Sequence, residues 1–301
     1  MNAADRANPL PGLLSGAKFD LATLRSGAMI ITAKTADGTE ARAIDDGGAG
    51  PVILVLHPGL DDGASWAKVA ARLTARHRVV RLHRRRYRLD LDQDTPCTAA
   101  QEVEHVLAVV RALGGGPVVL AGHSSGAVIA LEAMVAAPAA FSGAVLYEPP
   151  VVIGPPLGGP DGEIHRRARA AIAADRPGRA MRVFVRDTVG LPGWAALLVG
   201  WFVAGTPRLR ALAPRQVEDG VAMDALGVRL DAYAGISVPV VLLGGDRSPA
   251  HLGERLDALE RVLPGARRVL LTGQGHSAHA KAPDRVAEVV AALAAEVSHG
   301  R

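Results

Sequence analysis

The segment Gly-His-Ser-Ser-Gly at residues 122–126 constrains the fold more than any other part of the chain. It follows a short apolar run at residues 117–121 and precedes a helix-like run at residues 127–134. A G-x-S-x-G motif between a strand and a helix is typical of a nucleophile elbow, whereas in other contexts the same motif is often a plain turn. The sharp turn strains the central serine, and the flanking glycines let neighbouring backbone pass close by. The pattern therefore predicts Ser124 as a nucleophile above a sheet, with the Ser125 N–H at a helix N-terminus, where an oxyanion can bind.

A serine nucleophile needs a general base that an acid holds in place, and His276 is the candidate base. In folds with this elbow the order along the chain is serine, acid, histidine. His276 follows the predicted last strand, residues 267–271, through a glycine-rich turn and precedes a predicted final helix from residue 283 to about 297. The alternative is a solvated loop histidine, and His279, on the following turn, is the weaker candidate for the base.

A second oxyanion donor is expected after the apolar run at residues 51–56, which is typical of a buried parallel strand. The run leads into the polar loop His-Pro-Gly-Leu-Asp-Asp-Gly, at the sheet edge where such folds place their chemistry. Pro58 has no N–H to donate. The donor is therefore expected to be Gly59 or Leu60.

Together these motifs resemble those of the α/β-hydrolase superfamily, and the resemblance covers most of the chain. The matching features are the His-Pro-Gly at 57–59 (similar to the family's H-G-G oxyanion loop), Trp66 at the start of the first helix, the elbow, Gly275-His276 of the histidine loop, and Leu-Tyr-Glu-Pro-Pro at 146–150. One loop departs from the family. The usual D-x-R-G-x-G-x-S is here His-Arg-Arg-Arg-Tyr-Arg-Leu-Asp at residues 83–90, without a glycine.

Two carboxylates are candidates for the acid of the triad. Asp246 follows the predicted strand at residues 240–243, in the loop where the resemblance places the common acid, but that slot itself is occupied by Ser248. Glu148 ends the preceding strand, where some superfamily members, including haloalkane dehalogenases, carry their acid. Either carboxylate can orient His276 and stabilise its cation. We favour Glu148; the other interpretations are a loop-capping aspartate and a buried glutamate tied to backbone N–H groups.

The order of the predicted elements indicates an α/β-hydrolase fold, a doubly wound and mostly parallel sheet with a helical cap inserted. A hairpin is predicted around Asp37-Gly38, and strands then alternate with helices. Residues 1–20 are interpreted as a loose arm, residues 21–150 and 238–301 as the hydrolase core, and residues 151–237 as the cap or lid.

The predicted cap consists of helix-like pieces, including residues 192–204, 207–213 and 215–223. Trp194 and Trp201 lie at helical spacing within the first of these. They are expected either to fill the core of the lid or to line an apolar substrate pocket. His57, which precedes a proline and is expected to shape its loop, and His123 of the elbow are also placed at this pocket.

Composition favours one soluble enzyme core. Of the 301 residues, 49% are hydrophobic, which suffices for a large core, and the single Cys97 excludes an internal disulfide and a cysteine-based zinc site. Neither a secretory signal nor a spanning apolar stretch is found, so we expect a cytoplasmic protein with no membrane partner. The net charge is +4 with one dense basic run at residues 81–88. Because Tyr87 is its only aromatic residue, no nucleic-acid binding is expected, and the run is interpreted as a solvated or salt-bridged face.

The expected function is that of a carboxylesterase- or thioesterase-like hydrolase, which cleaves a small, mostly apolar ester, thioester or lactone through an acyl-enzyme. The expected partner is a small-molecule substrate, and no metal or organic cofactor is expected. Two alternatives stay open. One is carbon–carbon bond hydrolysis or a cyclisation of secondary metabolism on the same triad. The other is a ligand-binding protein that keeps the pocket but turns over slowly or not at all.

Overall fold

The computed structural model describes residues 28–92, 95 and 97–299; the predicted arm at residues 1–20 lies outside the described residues. One eight-stranded sheet organises this part of the chain. Its strands are β1 (Met29–Lys34), β2 (Glu40–Gly47), β3 (Val52–Leu56), β4 (Arg78–His83), β5 (Val118–His123), β6 (Phe141–Tyr147), β7 (Val240–Gly245) and β8 (Arg267–Leu271). Their spatial order is β1-β2-β4-β3-β5-β6-β7-β8, with β2 antiparallel to both neighbours and the remaining pairs parallel. The predicted mostly parallel sheet is confirmed.

Helices cover both faces of the sheet. In chain order the helices of the described residues are α1 (Ala67–Leu73), α2 (Ala99–Ala112), α3 (Ser125–Ala136), α4 (Glu163–Ala173), α5 (Pro177–Asp187), α6 (Gly193–Gly205), α7 (Pro207–Leu226), α8 (Leu230–Tyr233), α9 (Ala250–Val262), α10 (Ala278–Lys281) and α11 (Pro283–His299). Leu54 and Leu56 of β3 pack in the same cluster as α2, α3 and α9, whereas Ile53 and Val55 pack with α1 and α11. Since successive side chains of a strand point to opposite faces, both faces of the central strands must be apolar, which explains their near-continuous apolar sequence.

The predicted hairpin joins β1 to β2. Thr39 donates its N–H to Asp37 Oδ1 at 3.1 Å, and Gly38 has a positive φ of 80°. These features close the turn because an aspartate side chain can accept from backbone two residues on, and glycine accepts the left-handed conformation without strain. The hairpin places β2 beside β4, at the edge of the parallel strands.

Between β6 and β7 the chain leaves the sheet and forms the helices α4 to α8, called here the cap helices. Helices α4 to α7 share a cluster of buried apolar side chains that also contains Tyr87, from the loop after β4, whereas Tyr233 of α8 packs in the core cluster with β3 and α3. The sequence predicts a break within residues 207–223, but α7 runs through Pro214 as one helix. Burial of Leu212, Ala213 and Val217 on either side of Pro214 offsets the backbone hydrogen bond that a proline cannot make.

None of the helices in the described part of the chain is both long enough and apolar enough to cross a bilayer.

Candidate active site

Ser124 stands at the junction of β5 and α3 with a backbone conformation that non-glycine residues rarely adopt. Its φ is 53° and its ψ −129°. The Ser124 N–H donates to the carbonyl of Tyr147 at 2.8 Å, which ties the turn to β6. A Cβ at Gly126 would lie 2.5 Å from the carbonyl oxygen of Leu56, so only glycine lets the elbow pass the end of β3. The turn therefore holds the serine in a strained conformation that its surroundings enforce.

His276 lies against a buried carboxylate. Its Nδ1 is 2.6 Å from Oε2 of Glu148, whose side chain is 1% exposed. The other carboxylate oxygen of Glu148 accepts from the N–H of Gly245 at 2.8 Å and from the hydroxyl of Ser248 at 2.5 Å. These contacts fix the carboxylate on three sides. They orient the imidazole through Nδ1 and leave Nε2 as the nitrogen available to a reacting group.

Asp246, the other candidate acid, occupies a different position. It is exposed, and its Oδ1 accepts from the N–H of Gly273 at 2.7 Å, within the turn that precedes His276. Ser248, which stands where the resemblance places an acid, donates to Glu148 instead. Of the two carboxylates left open by the sequence, the structure thus brings Glu148 to His276 and uses Asp246 to cap a turn.

Tyr147 secures the loop that carries His276. Its hydroxyl donates to the carbonyl of Gly275 and accepts from the N–H of Ala278 at 3.0 Å. Burial raises the pKa of Tyr147 well above its usual value, so the phenol keeps its proton and can make both bonds. Tyr147 thereby anchors the backbone of the histidine loop, whereas its neighbour Glu148 binds the imidazole of His276.

His123 forms the floor beneath this imidazole. Its ring stacks on Tyr147 with centroids 4.3 Å apart and lies 4.7 Å from the ring of His276 and 4.5 Å from that of His279. The indole N–H of Trp66 donates to His123 Nδ1 at 3.4 Å. Burial holds the pKa of His123 well below its usual value, so this ring is neutral and contributes packing rather than charge.

His57 lies below the oxyanion loop rather than in the cavity wall. It is fully buried, its Nδ1–H donates to the carbonyl of Pro58 at 2.8 Å, and its Nε2 accepts from the N–H of Arg84 at 3.1 Å. These bonds connect the loop after β3 to the loop after β4. His57 shapes its loop, as the sequence indicates, but its placement at the substrate pocket is wrong because both ring nitrogens are used inside the protein.

The three predicted oxyanion donors, Gly59, Leu60 and Ser125, all line the cavity. Leu60 has a positive φ of 53°, so the loop carries a second strained residue beside the elbow. Within the described residues, the backbone N–H groups of Leu60 and Ser125 have no acceptor. Two N–H groups without partners at one site are the arrangement that an oxyanion requires.

A buried ion-pair network, which the sequence does not predict, links the elbow to the cap. Arg84 is fully buried and donates to the Ser125 hydroxyl at 2.8 Å, to Glu102 at 2.7 Å and to Asp219 of α7 at 3.0 Å. Tyr87 donates to the second oxygen of Asp219 at 2.7 Å. Although burial opposes the charge, Asp219 and Glu102 hold the pKa of Arg84 above its usual value.

The basic run is therefore salt-bridged but not solvated. Arg84, Arg85 and Arg88 are buried, and Arg88 pairs with Asp90 at 2.5 Å. The arginine-rich loop, which differs from the usual D-x-R-G-x-G-x-S, thus places positive charges inside the protein. Arg84 pairs there with Glu102 of α2 and Asp219 of α7, a core helix and a cap helix. The carboxylates that pair with Arg84 lie 18 and 135 residues away along the chain, so no local pattern identifies them.

Ser124 and His276 line one cavity of about 240 Å³ between the sheet edge and the cap helices. Among the described residues no hydrogen bond joins the Ser124 hydroxyl to His276; such a bond often tightens only when substrate binds. Most of the remaining wall is apolar, from the cap and α9: Leu157, Met181, Phe184, Val185, Val189, Leu191, Leu209, Met223 and Leu252. Polar and charged side chains also line the cavity, among them Asp61, Thr188, Arg208, Gln216, Asp219, Arg247, His251, Gln274 and Lys281. The cap side of the cavity thus offers apolar contacts to a small ligand.

Trp194 and Trp201 do not line this cavity and do not belong to the core of the cap. They are 57% and 71% exposed. The face of α6 that packs inward consists of smaller residues, among them Ala195, Ala196 and Val199. Helical spacing identified a common face for the tryptophans correctly, but the face points away from the site, so their predicted placement at the pocket is wrong.

Two buried histidines of the site make stability depend on pH. Burial lowers the pKa of His57 to about 3 and that of His279 to about 4, from an ordinary value of 6.5. Below pH 6.5 the unfolded chain binds a proton at each ring that the folded chain does not bind. The contribution of each ring to the free energy of unfolding is therefore complete above pH 6.5. It is lost as the pH falls towards the folded pKa, about 4 for His279 and about 3 for His57, by up to about 1.4 kcal/mol per pH unit for each ring.

We expect urea denaturation to show this loss between pH 6.5 and 5, where carboxylates with an ordinary pKa of about 4 still titrate little. His279→Gln should make the dependence shallower, whatever it does to stability at neutral pH. An unchanged slope in the variant would mean that His279 is protonated in the folded protein.

Comparisons with known proteins agree with the geometry. A sequence model described as the alpha/beta hydrolase family matches residues 53–289. A protein of Mycobacterium tuberculosis H37Rv, BpoC, whose name describes a non-heme bromoperoxidase, is 27% identical over 263 residues, which cover 81% of this chain and 94% of that protein.

Solved structures show the same fold. An alpha/beta hydrolase from Sphaerobacter thermophilus is 29% identical, with a TM-score of 0.75, and the match covers 87% of this chain and 99% of that one. A thermophilic esterase from Thermogutta terrifontis is 21% identical, with a TM-score of 0.67 and coverages of 89% and 99%. Because the family model matches well over half of the sequence, the chain belongs to the alpha/beta hydrolase family, the enzyme family that its motifs indicate.

Proposed function

We propose that this protein is a serine hydrolase that cleaves a small, mostly apolar ester, thioester or lactone through an acyl-enzyme. One observation carries the proposal: a strained serine and an imidazole bound to a buried carboxylate line the same apolar cavity. Neither feature is needed for packing. A positive φ at Ser124 costs free energy, and a buried carboxylate costs more unless it is paired.

In the proposed reaction Ser124 Oγ attacks the substrate carbonyl while Nε2 of His276 takes the hydroxyl proton. Glu148, bound to Nδ1, keeps the ring in the tautomer that can accept at Nε2 and stabilises the imidazolium that forms. His276 then gives the proton to the leaving group. Water, activated by the same ring, attacks the acyl-enzyme and restores the serine.

The developing oxyanion is held by backbone N–H groups. Ser125 supplies one from the N-terminus of α3, and Gly59 or Leu60 supplies the other from the loop after β3. Arg84 fixes the Ser125 side chain from behind and ties it to Asp219 of α7. The cap helices thus contribute to the positioning of the elbow in addition to covering the cavity.

The shape and lining of the cavity support this substrate class. At about 240 Å³ the cavity is small, and its cap-side wall is made mostly of Leu, Met, Phe and Val side chains. An acyl chain or ring of modest size buries apolar surface there, at about 25 cal/mol per Å². A highly charged acyl group would lose its hydration against this wall.

Labelling with a fluorophosphonate tests the proposal on the intact chain. We expect one covalent adduct, which tandem mass spectrometry places on Ser124 and not on the adjacent Ser125. Activation by His276 is the physical reason, since an ordinary hydroxyl does not react at a useful rate. A correctly folded protein that takes no label would instead support the ligand-binding alternative, and a label elsewhere would identify a different nucleophile.

A further inference from the structure

The outer face of α6 is an apolar stripe on the protein surface. Trp194, Leu197, Leu198 and Trp201 recur at the spacing of one helix face and are 57%, 38%, 42% and 71% exposed. No residue of this 13-residue helix is charged. Single exposed apolar side chains are ordinary, but four large ones on one face mark a surface that contacts something apolar.

The neighbouring helix α5 presents charge of one sign. Its exposed positions are Arg179, Arg182 and Arg186. Arg186 pairs with Asp187 at 2.5 Å, whereas Arg179 and Arg182 have no carboxylate partner among the described residues. The outer face of α5 therefore carries two uncompensated positive charges.

The two helices form one continuous surface because they pack closely. A Cβ at Gly200 would lie 2.7 Å from the carbonyl oxygen of Gly178 and 3.3 Å from Cβ of Arg182. The glycines bring the two backbones together and set Arg182 next to the turn of α6 that carries Trp201. We call the exposed residues of the pair, Arg179, Arg182, Trp194, Leu197, Leu198 and Trp201, the α5–α6 face.

An apolar stripe beside unpaired arginines fits an anionic lipid surface. Tryptophan and leucine enter the boundary between headgroups and acyl chains, and arginines beside them meet the phosphates. A second copy of the chain fits less well, because pairing two such faces would bring arginines of like charge near each other.

We propose that the α5–α6 face docks the protein reversibly on a membrane surface that contains anionic phospholipids. The segment between the two helices supplies Val189 and Leu191 to the cavity wall, so a docked lipid surface would lie beside the cap of the site. This replaces the expectation of no membrane partner, which rested on the search for a spanning segment. A helix that lies in the interface need not cross the bilayer and is not detected by that search.

Sedimentation with vesicles of phosphatidylcholine and phosphatidylglycerol tests the proposal with the full chain. We expect binding that weakens with added salt and that falls at least about tenfold in the double variant Trp194→Ser, Trp201→Ser. Leu270→Ser is the matched control, because Leu270 is 54% exposed on β8, away from the cap helices, and its replacement should leave binding unchanged. Circular dichroism shows whether each variant is folded.

The charge is tested by a pair of variants that change the net charge equally. Arg179→Glu, Arg182→Glu should abolish the preference for phosphatidylglycerol over pure phosphatidylcholine, whereas Arg76→Glu, Arg261→Glu, at exposed arginines of the core, should keep it. Equal losses in both double variants would show that only net charge matters and would contradict a defined docking face.

Tryptophan fluorescence gives a local readout that does not depend on activity. Trp66 is fully buried, so a shift of emission to shorter wavelength on adding vesicles reports on Trp194 and Trp201. Bromine-labelled acyl chains should quench the shifted emission. Absence of vesicle binding by the folded protein overturns the proposal, and a dimer that the tryptophan variants dissociate, without any vesicle binding, would assign the face to a second copy.

Discussion

Replacing Ser124 by alanine is expected to lower kcat for ester hydrolysis at least about 10⁴-fold and to leave the fold intact. The change removes the hydroxyl that attacks the carbonyl but keeps the Cβ. The hydrogen bond from the residue's own N–H to Tyr147 involves backbone only and persists. Activity on p-nitrophenyl acetate and on longer acyl esters measures the loss.

Ser298→Ala is the matched control for this substitution. Its hydroxyl donates to the carbonyl of Ala294 on α11, far along the chain from the elbow, so the variant should keep full activity. If pure Ser124→Ala retained most of its hydrolysis, the nucleophile would have to be another group, and the proposed acyl-enzyme would be wrong.

Local sequence patterns predict most of the fold. The elbow, the hairpin at Asp37 and the parallel strands each depend on residues that are neighbours in the chain, so their periodicity and turn residues suffice. The break predicted within α7 failed for a physical reason. A proline costs a helix one hydrogen bond, and burial of Leu212 and Val217, which depends on tertiary packing, offsets that cost.

The site shows the same division between local and distant interactions. The candidate serine, histidine and oxyanion loop are recognisable because each sits in its own short motif. The partner of His276 has no motif of its own, so the sequence leaves Glu148 and Asp246 open and favours Glu148 by its position alone. The contact joins residues 128 apart and depends on how β6 and β7 end next to each other. Ser248 stands at the position where the resemblance places the acid, yet in the fold its hydroxyl donates to Glu148, the carboxylate that contacts His276.

The sequence patterns do not predict two features, the ion-pair network around Arg84 and the exposed apolar stripe of α6. Arginine is usually at the surface, so a run of arginines predicts a solvated face unless the buried carboxylates are known. Glu102 and Asp219, which compensate Arg84, come from two different helices, 18 and 135 residues further along the chain. For α6 the pattern gives the spacing of the apolar residues, but a helix that is apolar all round does not reveal which of its faces is buried.

Glu148→Gln is expected to lower kcat at least about 10²-fold at equal folded fraction. An amide in place of the carboxylate presents either an N–H₂ group to Nδ1 of His276 or an N–H₂ group to the donors Gly245 and Ser248. The first arrangement favours the tautomer that carries its proton on Nε2, which cannot accept the proton of Ser124. The second loses hydrogen bonds that hold the side chain. In both, the imidazolium formed during the reaction lacks its counter-charge.

Asp246→Asn is the matched control, since it makes the same chemical change in the loop next to the site. Asp246 is exposed, and in the part of the chain that the structure describes its Oδ1 accepts only from the N–H of Gly273, a bond that an asparagine oxygen can keep. We therefore expect kcat to change less than in Glu148→Gln, and fluorophosphonate labelling of Ser124 to be weak only in the Glu148 variant. If Asp246→Asn were the more damaging of the two at equal folded fraction, the acid of the triad would be Asp246, and the histidine loop would have to rearrange when substrate binds.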